Sequence, residues 1–137
     1  MTPTPAMTKT TGKVLLIDDD PVITAVYEKQ FKARNFDVHI ANDGAKGLEA
    51  VKTFRPDAVL LDLSMPNVNG VQWLNEVRKD ERFKNLPVVV FTSGSVGWQV
   101  KAVRNSDVTY VLSKDGTEPK QVVAAVTTAL ETGKWKI

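Results

Sequence analysis

Cysteine is absent from this chain, histidine occurs once, and no apolar stretch is long. The lack of cysteine excludes a disulfide framework and a thiolate metal site. A helix that crosses a bilayer takes roughly 18 or more consecutive apolar residues, and the runs here are far shorter. The first residues, 1–12, are rich in Thr and Pro and lack the apolar centre of a secretory signal. They predict a flexible extension on a protein that is cytoplasmic by default and has no membrane partner. Also missing is any long block of like charge, so a nucleic-acid-binding surface has no support.

What is present is ordinary in amount. Hydrophobic residues make up 42% and charged residues 25% of the 137 positions, and the net charge is +2. These are the proportions of a soluble globular domain, and the length suits one domain with a sizeable core, expected over residues 13–137. The basic-aromatic end from Gly133 to Ile137 is read as a cap on the last helix rather than as a binding element.

Apolar runs alternate with helical periodicities along the chain. Val14–Ile17, Phe36–Ala41, Ala58–Leu61, Val88–Phe91 and Val108–Leu112 read as strands. Between and after them, Val22–Arg34, Ala45–Phe54, Asn69–Phe83, Gly97–Arg104 and Glu118–Glu131 read as helices, with Gly133 as the last stop. Asn42-Asp43-Gly44 reads as a turn, and Arg55-Pro56 ends the second helix. Strands made of continuous apolar residues belong to a parallel sheet covered on both faces. The expected fold is therefore α/β, a doubly wound five-stranded parallel sheet in three layers, as one domain.

In such a sheet, sites form beyond the carboxyl ends of the strands, where the strand order reverses. The unusual polar residues sit at those ends: Asp18, Asp19 and Asp20 after the first strand, Asp62 after the third, Thr92 after the fourth, and Ser113 and Lys114 after the fifth. Taken singly, each acid has a plainer reading as a cap, and Pro21 suits a first helical turn. Adjacent carboxylates repel one another, and a divalent cation offsets that repulsion most simply. The set suggests phosphoryl transfer, with Asp62 as a carboxylate nucleophile. Charge on the transferring group would be shared among a cation, Lys114 and the Thr92 hydroxyl.

Asp18-Asp19, the run from Asp62 through Met65 and Pro66 to Gly70, Thr92 and Lys114, each after its own strand, together resemble the receiver domain of two-component response regulators. The resemblance covers about residues 13 to 132 and implies a flavodoxin-like fold. It implies that Asp62 is the phosphorylated residue. It implies Mg²⁺ as cofactor, held by the side chains of Asp19 and Asp62, by Asp18 through water and by the backbone carbonyl of Ser64. It further implies that Lys114 pairs with the phosphoryl group and that Thr92 moves to bond it after phosphorylation. The donor would be a histidine kinase or a histidine phosphotransfer protein. The expected role is a stand-alone switch that signals by phosphorylation-dependent partner binding, modifying only itself.

Several positions depart from the family pattern. Asp115-Gly116 follows Lys114 where proline is usual, and a cis bond without proline costs about 2.5–4 kcal/mol. Val111 occupies the position of the usual aromatic switch, and Tyr110 faces the other way by strand alternation. Gly94 and Gly97 weaken the fourth helix around Trp98. His39 lies inside the second strand, away from the strand ends, and is read as structural. These departures keep open an alternative, a degenerate receiver used as a phosphorylation-independent scaffold. A phosphohydrolase is disfavoured, since Ser64 stands where a second catalytic acid is needed.

Overall fold

The structure is a computed structural model that describes residues 10–65, 67–93, 101 and 108–135. In chain order the elements are β1 (Gly12–Ile17), α1 (Pro21–Ala33), β2 (Phe36–Ala41), α2 (Gly44–Phe54), β3 (Ala58–Leu61), α3 (Gly70–Arg78), a 3₁₀ turn (Glu81–Phe83), β4 (Val88–Thr92), β5 (Tyr110–Ser113) and α4 (Pro119–Trp135). The strands form one parallel sheet in the order β2-β1-β3-β4-β5, the flavodoxin-like order. The order reverses between β1 and β3, and there Ile17 pairs with Leu61. Asp18 and Asp62, one residue further on, therefore emerge side by side.

The apolar runs divide between two faces as strand alternation requires. Leu15, Ile17, Val59, Leu61, Val88 and Val90 pack with Trp73 and Leu74 of α3 and Val51 of α2. Val14, Leu16, Leu60, Val89 and Phe91 pack with Tyr27 and Phe31 of α1 and Val122 and Val126 of α4. Full burial of one such side chain stabilises by about 1.5–3 kcal/mol, which locks the register from both sides. On the second face Phe91 meets Tyr27 edge-on, with ring centroids 5.2 Å apart.

The helix starts follow from short polar side chains. Asp20 accepts from the Val22 amide at 2.9 Å ahead of Pro21. Asp43 accepts from Lys46 at 2.7 Å. Asn69 and Gln72 form a reciprocal capping box at α3. Arg55 ends α2 in the left-handed region, with φ 53, just before Pro56.

Some boundaries differ from the expectation. β1 opens at Gly12, inside the stretch read as an extension, and Thr11 donates from its amide to Asn35 O at 2.8 Å. Residues 1–9 lie outside the described residues. The third helix ends at Arg78 rather than Phe83, because Asp80 caps a new turn by accepting from the Arg82 amide at 3.0 Å and clasping its guanidinium. That turn brings Phe83 into the core. β5 spans Tyr110–Ser113 instead of residues 108–112. The last helix continues through Gly133 to Trp135, since one glycine costs only about 1 kcal/mol in a helix of this length. Of the helix expected at Gly97–Arg104, only Lys101 is described, and Pro66, Gly94, Trp98, Lys136 and Ile137 fall outside the described residues.

Replacing Asn69 by Ala should lower stability by about 1 kcal/mol through loss of the capping box, read as a lower urea midpoint, whereas Asn69→Asp keeps most of it.

Candidate functional site

Asp62 is placed by its strand. Its amide donates to Ile17 O at 2.9 Å, the last rung between β1 and β3, and its side chain is only 4% exposed. The carboxylate faces donors from β4, from the end of β5 and from the stretch that follows Asp62 itself. Oδ1 accepts from the Thr92 hydroxyl at 3.0 Å and from the Ser64 amide at 3.2 Å. Oδ2 faces the Lys114 Nζ at 3.4 Å. Lys114 is set in turn by its amide, which donates to Thr92 O at 2.8 Å and continues the β4–β5 pairing.

Asp18 is the closer partner of Lys114, with Oδ2 at 2.8 Å, and its Oδ1 accepts from the Asp20 amide at 2.9 Å. Asp19 is exposed at the mouth, and Asp18, Asp19 and Asp62 each offer a carboxylate oxygen within 4.8 Å of the others. Asp20, the third acid of the run, is spent as the α1 cap. Hard oxygen donors at this spacing, two of them buried, fit a hard divalent cation such as Mg²⁺.

The charges are strongly biased by burial. Burial pushes the Asp18 carboxyl above its ordinary 3.8, and the nearby Asp62 adds to this; Lys114 and the Asp20 amide pull it partly back. Burial alone works to lower the Lys114 ammonium, but its bond to Asp18, with the charges of Asp18 and Asp62, holds it above its ordinary 10.5. One cation thus serves two acids.

The structure brings Asp18, Asp19, Asp62, Thr92 and Lys114 to one edge. Ser64 reaches the same place with its amide on Asp62. The Thr92 hydroxyl is buried and donates to Asp62 Oδ1 at 3.0 Å. His39 sits on the edge strand, stacked on Phe54 with ring centroids 5.3 Å apart. Val111 packs against the first core face, and Tyr110, 39% exposed, lies on the other. Asp115 is exposed, and its amide donates to the Ser113 hydroxyl at 3.1 Å. Among the described residues no peptide bond is cis.

A doubly wound sheet with paired acids, a hydroxyl and a lysine at its carboxyl edge defines a receiver-type domain. The chain matches the family model of the response regulator receiver domain over residues 14–127 and belongs to that family. It is 36% identical over 81 residues to the DNA-binding dual master transcriptional regulator RpaA of Synechocystis sp., covering 59% of this chain and 34% of that one. It is 40% identical over 82 residues to the sensor histidine kinase CheAY of Helicobacter pylori, covering 58% of this chain and 10% of that one. The chain thus spans about a third or less of the length of these relatives. Among solved structures, a putative response regulator from Chloroflexus aurantiacus superposes with TM-score 0.81 at 25% identity, covering 90% of this chain and 99% of that one. The chemotaxis protein CheY4 of Vibrio cholerae shares the fold, with TM-score 0.78 at 22% identity, covering 85% of this chain and 97% of that one. Among the described residues no helix is long and apolar enough to cross a membrane.

The Lys114 pairing carries a pH signature. A raised folded-state value means its contribution to stability is complete below the unfolded value near 10.5 and is lost as pH rises through the folded one. Denaturant midpoints followed through that alkaline range should fall in the wild type, and the fall should be smaller in Lys114→Gln.

Proposed function

We propose that this receiver domain accepts a phosphoryl group on Asp62 from a histidine kinase or a histidine phosphotransfer protein, in a Mg²⁺-dependent reaction, and that the modified form signals by binding a protein partner. The observation that carries this reading is the held carboxylate: Asp62 is buried, oriented by Thr92, Ser64 and Lys114, and beside Asp18 and Asp19.

An oxygen of the Asp62 carboxylate attacks the phosphorus of the donor. As the new P–O bond forms, the donor's P–N bond breaks, and the electron pair leaves with the imidazole nitrogen. The product is a mixed anhydride on Asp62. Asp18, Asp19, Asp62 and the Ser64 backbone carbonyl are the groups that would hold Mg²⁺, which when bound supplies positive charge to the phosphoryl oxygens. Lys114 stands ready to bond the new phosphoryl group with the charge it now gives Asp18 and Asp62, and Thr92 needs only to exchange one acceptor oxygen for another.

A second reading, a scaffold whose partner binding is independent of phosphorylation, draws on the inward Thr92 of the unmodified chain. It is separated from the first by partner binding of Asp62→Asn in the presence and absence of a phosphoryl donor.

Acetyl phosphate with Mg²⁺ should add the mass of one phosphoryl group to the wild-type chain, and none to Asp62→Ala or to the wild type with chelator. Wild type that stays unmodified by any small donor or kinase contradicts the proposal.

A further inference from the structure

Asp62, Leu63 and Val68, in the stretch between β3 and α3, are seated on two glycines. A Cβ at Gly70 would fall on the carbonyl oxygen of Asp62 and 2.7 Å from Leu63 Cα. A Cβ at Gly44, the first residue of α2, would fall on the carbonyl oxygen of Val68 and 2.6 Å from its carbonyl carbon. Backbone cannot swing aside as the tip of a long side chain can. Gly116 is the one glycine with positive φ among the described residues, so Gly44 is required for space and not for conformation.

Gly70 lies on the loop's own helix, but Gly44 comes from α2, the neighbouring helix on the same face of the sheet. The near end of the loop is fixed by the Ser64 amide on Asp62 at 3.2 Å and by the Gly70 amide on Leu63 O at 3.1 Å. Its far end presses on α2 at Val68, which also packs against the first core face together with Met65. Asp43 caps α2 and so holds Gly44 in place.

We propose that Gly44 is a positioning residue for the phosphoryl-acceptor loop: the first turn of α2 is the stop that sets the path of Val68 and, through the Gly70 amide on Leu63 O, the height of Ser64 and the aim of Asp62. This rests on the reading of the site given above. Groups that support metal ligands from behind are worth about 10–100-fold in affinity, so the effect belongs in the Mg²⁺ affinity before any phosphoryl transfer.

The test is Mg²⁺ binding by calorimetry to the full chain, with thermal midpoints measured in parallel, for wild type, Gly44→Ala and Gly47→Ala. Gly47 lies on the same helix, but its added Cβ would meet side chains, Ile17 Cδ1 at 2.9 Å and Trp73 Nε1 at 3.0 Å, rather than the loop. Gly44→Ala should weaken Mg²⁺ binding by about tenfold or more and slow labelling by acetyl phosphate. Gly47→Ala should lower the midpoint and leave Mg²⁺ affinity within about twofold. Should Gly44→Ala fail to fold, Val68→Gly, which loosens the same seat from the loop side, should show the same weakening. Unchanged affinity in Gly44→Ala or, where that variant does not fold, in Val68→Gly, or equal weakening in Gly44→Ala and Gly47→Ala, overturns the inference alone. A wild-type chain that binds no Mg²⁺ overturns the phosphoryl-acceptor reading and this inference with it.

Discussion

The hydrogen bond from the Asp62 amide to Ile17 O, 2.9 Å long, is the constraint on which the site depends. It is the final rung between two central parallel strands, and it forces the residues that follow, Asp18 and Asp62, to share one buried corner. Every apolar residue of β1 and β3 is buried, so a slip of one residue would exchange the side chains fitted against α2 and α3 with those fitted against α1 and α4. Hydrophobic packing thereby holds two like charges together, and those charges on their own would separate.

What relieves that repulsion is Lys114. Its ammonium lies 2.8 Å from Asp18 and 3.4 Å from Asp62, and it reaches them because β5 pairs with β4 at Thr92. Removing one member of a buried ion pair costs about 3–5 kcal/mol, because the other charge stays without a counter-charge. Among the described residues the same lysine is the cation paired with Asp62. A divalent cation held by the same acids would share its load on Asp18. One side chain thus bridges both acids, and Thr92 bonds Asp62 separately at Oδ1.

Much of this was legible in the sequence because it depends on local pattern. Continuous apolar runs such as Val14–Ile17 and Ala58–Leu61 can be satisfied only by a sheet covered on both faces, and polar residues directly after them must collect at its carboxyl edge. The residues at that edge, Asp18, Asp19, Asp62, Thr92 and Lys114, were readable for the same reason. Features set by tertiary contact were not. The break after Arg78 depends on Asp80 capturing Arg82 so that Phe83 can turn inward, and a helical periodicity runs through it unmarked. Gly44 looks like an ordinary turn residue after Asp43; only the fold shows that the Val68 carbonyl occupies the space its side chain would need. The inward Thr92 hydroxyl likewise follows from burial beside Asp62, which no spacing reveals.

Acids from the ends of β1 and β3 should converge on one cation site. Anomalous diffraction from crystals soaked in Mn²⁺, a hard cation that takes the same oxygen donors as Mg²⁺, tests it most directly. A single strong peak bounded by the carboxylates of Asp18, Asp19 and Asp62 is the predicted result. A peak elsewhere on the molecule, with none between these three side chains, would contradict it.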